Sequence, residues 1–377
     1  MIVHVITNLH AASGGPTTAV VELAREQAGT GEQVRVIVDE APDDARGQGP
    51  AVRARWSGLD VSVAAAGGTA RGSRIGRAQL AHHLQTLRPR VVHLHGVWDP
   101  ILRRSASACA SLGIPWVVSS HGMLHPFTLG QGALKKRLYL SLFPSVVGAA
   151  RAVFTLNAEE ADAVRRRFGV LAITAPTGID PGPYERPADG SFARSVPALG
   201  GSAFVLFLGR LDPIKGVDRL MDAFADAVGL GLTAHLVLAG PDFGAERELR
   251  QRAGRLGLAD RIHFVGPLAG ERKFAALAEC ALFAHRPRYE GFGIAVVEAM
   301  AARRAVVTTV ACRLDGAEAA GAIVVAPDET TAFAKDLLRL ADDQEASRAL
   351  GARAQAWVRQ ELAWPTVLGR VEQGYRA

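Results

Sequence analysis

At 377 residues the chain has room for two domains of the usual ~100–200 residues each. Its 49% hydrophobic and 21% charged residues exclude an intrinsically disordered chain, and no apolar run reaches the ~18 residues of a membrane-spanning helix. The net charge of +6 lies entirely in the first half: residues 1–182 hold 19 Lys and Arg against 13 Asp and Glu, and the remainder holds 24 of each. That asymmetry suits an anionic partner such as a phosphorylated acceptor or a lipid surface; an Arg-rich composition with no special role explains it equally well.

The opening residues 1–6 read as a buried strand. They lack the charged start and cleavage site of a signal peptide, so a cytoplasmic protein is expected. Further β-branched runs follow at 33–38, 91–95, 116–119, 152–156 and 172–175. A second series lies at 203–208, 234–239, 261–265, 281–284, 305–309 and 322–325. Many are apolar on both faces and alternate with helical patterns, the signature of parallel strands covered by helices on both sides. Between the two series, residues 180–202 carry four prolines and no apolar period, and read as an interdomain linker. This gives an α/β chain with domains at 1–182 and 183–354. Near the end, Pro365 is expected to break or kink any helix. Cys109, Cys280 and Cys312 are far apart with no CxxC pair, which argues for buried thiols rather than a zinc site or disulfides.

In open α/β sheets, ligands bind beyond the carboxyl ends of the strands, and four segments there carry chemistry. Ser13-Gly14-Gly15-Pro16-Thr17-Thr18 precedes an apolar-periodic helix. Its glycines permit close backbone approach, and the free amides at the helix start form an anion site; a simple tight turn is the alternative. Gly209-Arg210-Leu211-Asp212-Pro213-Ile214-Lys215-Gly216 follows an apolar strand. Two cations there can hold a diphosphate, Arg as a planar fork and Lys as a point charge, unless the loop is merely solvated. Glu290-Gly291-Phe292-Gly293-Ile294 leads into a helix carrying Glu298. The amides of Phe292, Gly293 and Ile294 can face an anion, Glu298 can accept from two ribose hydroxyls, and Glu290 can bind sugar hydroxyls. The alternative is a capped helix with a surface carboxylate. Ser119-Ser120-His121-Gly122 places a histidine where it can donate to a substrate hydroxyl or move a proton, or serve only structurally. His93 and His95 share one strand face, and no third metal ligand is evident beside them.

At these residues the chain resembles the family 4 retaining glycosyltransferases. The family's basic pair matches Gly209-Arg210 and Lys215-Gly216, and its two spaced glutamates match Glu290 and Glu298. Its early glycine loop matches Gly14-Gly15, its His-Gly matches His121-Gly122, and a junction turn matches Gly178-Ile179-Asp180. The resemblance implies the GT-B architecture, two Rossmann-like parallel-sheet domains facing each other across a cleft, with residues from about 355 to 377 packing back on the first domain. It implies transfer of a hexose-type sugar from a nucleotide diphosphate sugar to a hydroxyl acceptor, without a metal or other cofactor. By position, Arg210 and Lys215 would neutralise the diphosphate, Glu298 would bind ribose, Glu290 and His121 the donor sugar, and Gly15 would approach the phosphate. The segment 121–126 with Lys135-Lys136-Arg137 is similar to a subgroup that builds exopolysaccharide or O-antigen on acceptors that are often lipid-linked. Beside those cations Leu134, Leu138, Tyr139 and Leu142 form an amphipathic pattern suited to a membrane surface at the inner face, or to a solvated helix. No nucleic-acid partner is expected. A sugar-nucleotide epimerase and a catalytically idle nucleotide-sugar-binding protein are the alternatives.

Overall fold

The computed structural model describes residues 1–9, 15–38, 60–63, 76–143 and 145–377; Gly14 and the rest of the early glycine loop before Gly15 lie outside them. The chain divides into two compact units, Met1–Gly178 with Trp364–Ala377, and Ile179–Ala363.

The first unit is built on a seven-stranded parallel sheet of β1 (Ile2–Ile6), β2 (Val34–Val38), β3 (Asp60–Val63), β4 (Val91–His95), β5 (Trp116–Ser119), β6 (Ala152–Thr155) and β7 (Ala172–Thr174). Their spatial order is β3-β2-β1-β4-β5-β6-β7, so the order reverses between β1 and β4. Both faces of the sheet are packed. Val3, Val5, Val92, Leu94 and Val118 join one core. The alternate residues Ile2, Val91 and Val117 join a second with Trp364, Val367, Val371 and Tyr375 of the last helix, Trp364–Arg376. Burial on both sides is why these strands read as continuous apolar runs. The edge strand β3 was not legible, since its four residues Asp-Val-Ser-Val offer too short a pattern.

The second unit carries a six-stranded parallel sheet: β8 (Phe204–Leu208), β9 (His235–Ala239), β10 (Ile262–Gly266), β11 (Leu282–Ala284), β12 (Val306–Thr309) and β13 (Val324–Ala326). The order is β10-β9-β8-β11-β12-β13, with the reversal between β8 and β11. Loops leaving strands on either side of such a reversal diverge and leave a crevice, so the segments after β8 and β11 flank one crevice.

Two expectations need correction. Residues 180–202 are not a free linker. Tyr184, Phe192 and Leu199 are buried, and the Glu279 carboxylate accepts from the amides of Phe192 and Ala193 at 3.0 and 2.8 Å. The segment folds onto the second unit in turns too short to show a period. The return to the first unit begins at Trp364 rather than near 355. The helix Gln344–Glu361 is held in the second unit because Gly351 lies against the Arg303 carbonyl, where a Cβ would sit 2.2 Å from the oxygen. The helical run is broken just before Pro365, between the helices Gln344–Glu361 and Trp364–Arg376, and Pro365 opens the second of them. It occupies the first turn of Trp364–Arg376, where its missing N–H has no intrahelical acceptor to lose.

Candidate active site

In the second unit, the loop after β8 is folded by its own side chains. The Asp212 carboxylate accepts from the Ile214 amide at 2.9 Å and starts the 3-10 turn Pro213–Lys215. Gly216 then takes a left-handed φ of 63° and starts the helix Val217–Gly229. It also lies against the segment after β11: a Cβ at Gly216 would come 2.1 Å from the Arg286 carbonyl oxygen. Arg288 completes the strap. Its amide donates to the Ile214 carbonyl at 2.9 Å, and its guanidinium grips Asp218 with two bonds of 2.7 Å. Gly216→Ala therefore combines left-handed strain with a backbone clash. It is expected to cost ~2 kcal/mol or more in urea unfolding; unchanged stability would contradict the strap.

The strap brings Lys215 onto Glu290, in direct contact between Nζ and Oε2. His285, immediately after β11, places Nε2 3.2 Å from the same oxygen. Burial alone would push the Glu290 carboxyl up. The hydrogen bond from His285 and the Lys215 charge outweigh it and hold the group at about 2. Lys215 has three N–H donors, so contact with Glu290 leaves two for a ligand. Arg210 is exposed and rests over the Phe243 ring at 4.9 Å. Gly209 lies at the foot of the loop, its amide bonded to the Ala239 carbonyl at 2.9 Å.

Gly293 has a left-handed φ of 74° and precedes the helix Ile294–Ala301, with the Phe292 side chain buried beside it. The amides of such a first turn have no intrahelical acceptors. Glu298 lies one turn further in and is buried. Its Oε1 accepts from Lys273 Nζ at 2.6 Å and from the Tyr184 hydroxyl at 2.8 Å. His285, Lys273 and Tyr184 were not singled out in the sequence. His285 had a usable signal, since it directly follows a strand. Lys273 and Tyr184 lie in a helix and a turn with no such mark.

In the first unit, His121 has a left-handed φ of 48°, as does Gly122 at 78°. Left-handed backbone at a non-glycine residue is costly and tends to mark functional sites. The turn is held by the buried carboxylate of Glu160, which accepts from the amides of Leu124 and Leu156, each at 3.1 Å. His121 does not stand alone. A third histidine was missed beside His93 and His95: His4 on β1 pairs in register with His93 on β4. The three offer nitrogen atoms within 4.8 Å of one another, but those nitrogens already bond to one another or to neighbouring side chains, and among the described residues no carboxylate joins the group. Gly15 is the exposed first residue of the helix Gly15–Gly29.

A sequence profile described as "Glycosyl transferase 4-like domain" matches residues 14–175, and one described as "Glycosyl transferases group 1" matches residues 192–357. This chain belongs to the GT4 glycosyltransferase family. Among relatives of the family, a D-inositol 3-phosphate glycosyltransferase of Streptomyces avermitilis is 31% identical over 249 residues, 62% of this chain and 53% of its own length. A phosphatidyl-myo-inositol mannosyltransferase of Mycobacterium leprae is 29% identical over 78% of this chain and 75% of its own. Against the first of these relatives, the chain spans about half their length. The fold is that of Anabaena Alr3699/HepE, solved in complex with UDP and glucose, with a TM-score of 0.75, 22% identity and coverage of 99% of this chain and 98% of that one. The two parallel sheets are thus those of a GT-B protein.

Proposed function

We propose that the chain is a retaining glycosyltransferase that moves a hexose-type sugar from a nucleotide diphosphate sugar to a hydroxyl acceptor. The observation that carries this is the convergence of Lys215, His285 and Glu290 at the strand-order reversal, beside an open helix N-terminus. Lys215 and Arg210 supply positive charge for a diphosphate, and the first-turn amides after Gly293 add donors. Glu290, held ionised, accepts from hydroxyls of the donor sugar. Glu298 turns its carboxylate to the ribose while Lys273 and Tyr184 fix its position. For His121 and Gly15 the proposed roles, contact with a sugar hydroxyl and with a phosphate, are those that the family resemblance implies.

In the reaction, the anomeric carbon–oxygen bond to the diphosphate breaks as the acceptor oxygen bonds to the same carbon. Negative charge grows on the leaving phosphate, where donors already in place lower the barrier. Lys215 holds one oxygen of Glu290 and Lys273 one oxygen of Glu298, and in this reading both carboxylates serve as hydroxyl acceptors rather than as a nucleophile. Attack from the leaving-group face is the route proposed, with the acceptor proton passing to the departing phosphate oxygen. The two cations take the role a divalent ion would otherwise have, so turnover is expected to survive chelation.

The test is thermal unfolding with UDP, GDP and ADP in EDTA. A ligand at 100 times its Kd adds about 2.7 kcal/mol, and that stabilisation should vanish in Lys215→Ala. No stabilisation by any nucleoside diphosphate would overturn the reading.

The acceptor proposed is lipid-linked, met at a membrane surface, as the names of relatives such as the phosphatidyl-myo-inositol mannosyltransferases suggest. On the helix Ala133–Leu142, Leu134, Leu138 and Leu142 are 83%, 58% and 62% exposed in a single stripe, flanked by exposed Lys135 and Arg137. Such a face suits anionic bilayers. Among the described residues no helix is long and apolar enough to cross a membrane. The protein is expected to sediment with phosphatidylglycerol vesicles and to lose at least tenfold in partitioning when the three leucines become serine. Equal partitioning of both forms would remove this face from consideration.

A further inference from the structure

Seven side chains of the first unit form one unbroken hydrogen-bonded chain. His121 Nε2 lies 3.2 Å from His95 Nδ1. His95 Nε2 lies 2.8 Å from His4 Nδ1, and His4 Nε2 lies 2.7 Å from Gln27 Oε1. The Gln27 amide nitrogen donates to the Tyr375 hydroxyl at 2.9 Å. That hydroxyl lies 2.8 Å from His93 Nδ1, and His93 Nε2 lies 2.8 Å from Ser119 Oγ. The chain runs from the strand ends down into the sheet face, reaches the last helix, and comes back. Its two ends, His121 and Ser119, line the same cleft, together with His95, Thr177 and Trp364.

A neutral imidazole has one donor and one acceptor nitrogen, so the proton on one ring dictates the proton on the next. Gln27 couples the two branches because its oxygen only accepts and its nitrogen only donates, so turning its amide over would reverse both branches at once. With the oxygen on His4, His4 carries its proton on Nε2, accepts from His95 at Nδ1, and obliges His95 to accept from His121. His121 is thereby protonated on Nε2 and keeps Nδ1 as an acceptor. On the other branch, Tyr375 accepts from Gln27 and donates to His93, which then donates to Ser119 and leaves the serine proton free. A mixed arrangement would set two donors or two lone pairs face to face in a buried site, which is costly.

We propose that Gln27 and Tyr375 are positioning residues that fix the tautomer of His121, so that the cleft presents an acceptor at His121 Nδ1 and a donor at the Ser119 hydroxyl to two hydroxyls of one sugar. The assignment of a sugar to this cleft rests on the transferase reading above; the tautomer lock does not. The rings carry no charge for this purpose. Burial drives His4 and His121 down to about 4, and holds His93 and His95 well below the usual imidazole range. Near neutral pH the variable at His121 is therefore the place of one proton, not its presence. An amide cannot pass a proton on by accepting one, so the chain orients His121 rather than draining protons from it.

The test is long-range proton–nitrogen NMR of protein labelled with 15N-histidine, with His121→Asn used for assignment. Native protein is expected to show His121 as the pure Nε2–H tautomer. Tyr375→Phe and Gln27→Met should each give a mixture with the Nδ1–H form, and kcat/KM should fall about five- to tenfold, the size of one neutral hydrogen bond. An Nδ1–H tautomer in the native protein, or an unchanged Nε2–H tautomer in the variants, overturns the proposal. If Tyr375→Phe does not fold, the native spectrum and Gln27→Met still decide. The spectra need no turnover, so a native protein with the expected tautomers but no transferase activity refutes the function and leaves the lock standing.

Discussion

Replacing Lys215 with alanine is expected to lower kcat by on the order of 10²–10³-fold, the usual loss when one donor to a developing anion is removed, with the chain still folded. The site explains both halves. Lys215 is held by the 3-10 turn and by Gly216, so its position is set before any ligand binds and no reorganisation is needed during reaction. Its contact with Glu290 engages one of three N–H donors. The variant loses the remaining two at the leaving diphosphate. Folding survives because Glu290 keeps His285 as a partner. The variant should nevertheless differ in acid. The native Glu290 carboxyl is held at about 2, below its ordinary 4.5. Its contribution to stability is therefore full above pH ~4.5 and is lost as pH falls towards 2. Without the Lys215 charge the carboxyl rises, and that contribution shrinks. Urea unfolding from pH 7 to pH 3 should show a shallower acid-side loss in Lys215→Ala. A kcat within a few-fold of native, or an effect confined to KM, would mean that Lys215 binds donor and transition state equally and is not part of the catalytic step.

What the sequence made legible follows from where information is local. Parallel strands buried on both faces must be apolar throughout, so 12 of the 13 strands among the described residues could be read from their apolar runs. The site loops could be read because strand order forces ligands to strand ends, and Arg210, Lys215, Glu290 and His121 all lie in loops that leave the carboxyl ends of strands. Partners that act across the fold could not. Tyr375 reaches Gln27 over 348 residues of chain, and Tyr184 reaches Glu298 over 114. Nothing near Gln27 marks it as more than a polar residue on the helix Gly15–Gly29. His4 was hidden for a related reason: it joins His93 only through the parallel register of β1 and β4, and strand pairing is not written in either strand. The turns of 180–202 failed as a reading because elements of three or four residues carry no period.

The Lys273–Glu298 pair makes the strongest case for stability. Glu298 is buried, with Lys273 and Tyr184 both on Oε1. Removing one member of a buried ion pair leaves the other charge without compensation, at about 3–5 kcal/mol. The Tyr184 bond remains in Lys273→Met, which places the expected loss at the lower end, ~3 kcal/mol in urea unfolding. Glu298→Gln alone should cost less, because no charge is stranded on the carboxamide side and the partly exposed ammonium of Lys273 can turn to water. In the double variant the two losses should not add, since the second change removes the burden left by the first, and a coupling of 1 kcal/mol or more is expected. The same pair should separate structure from chemistry in kinetics. Lys273 touches the carboxylate proposed for ribose, not the reacting carbon. Donor KM should therefore rise in Lys273→Met, while kcat at saturation falls far less than in Lys215→Ala. Simple additivity in the cycle would show that the buried pair is not a coupled unit. A loss of kcat as large as that of Lys215→Ala would place Lys273 at the reacting centre instead.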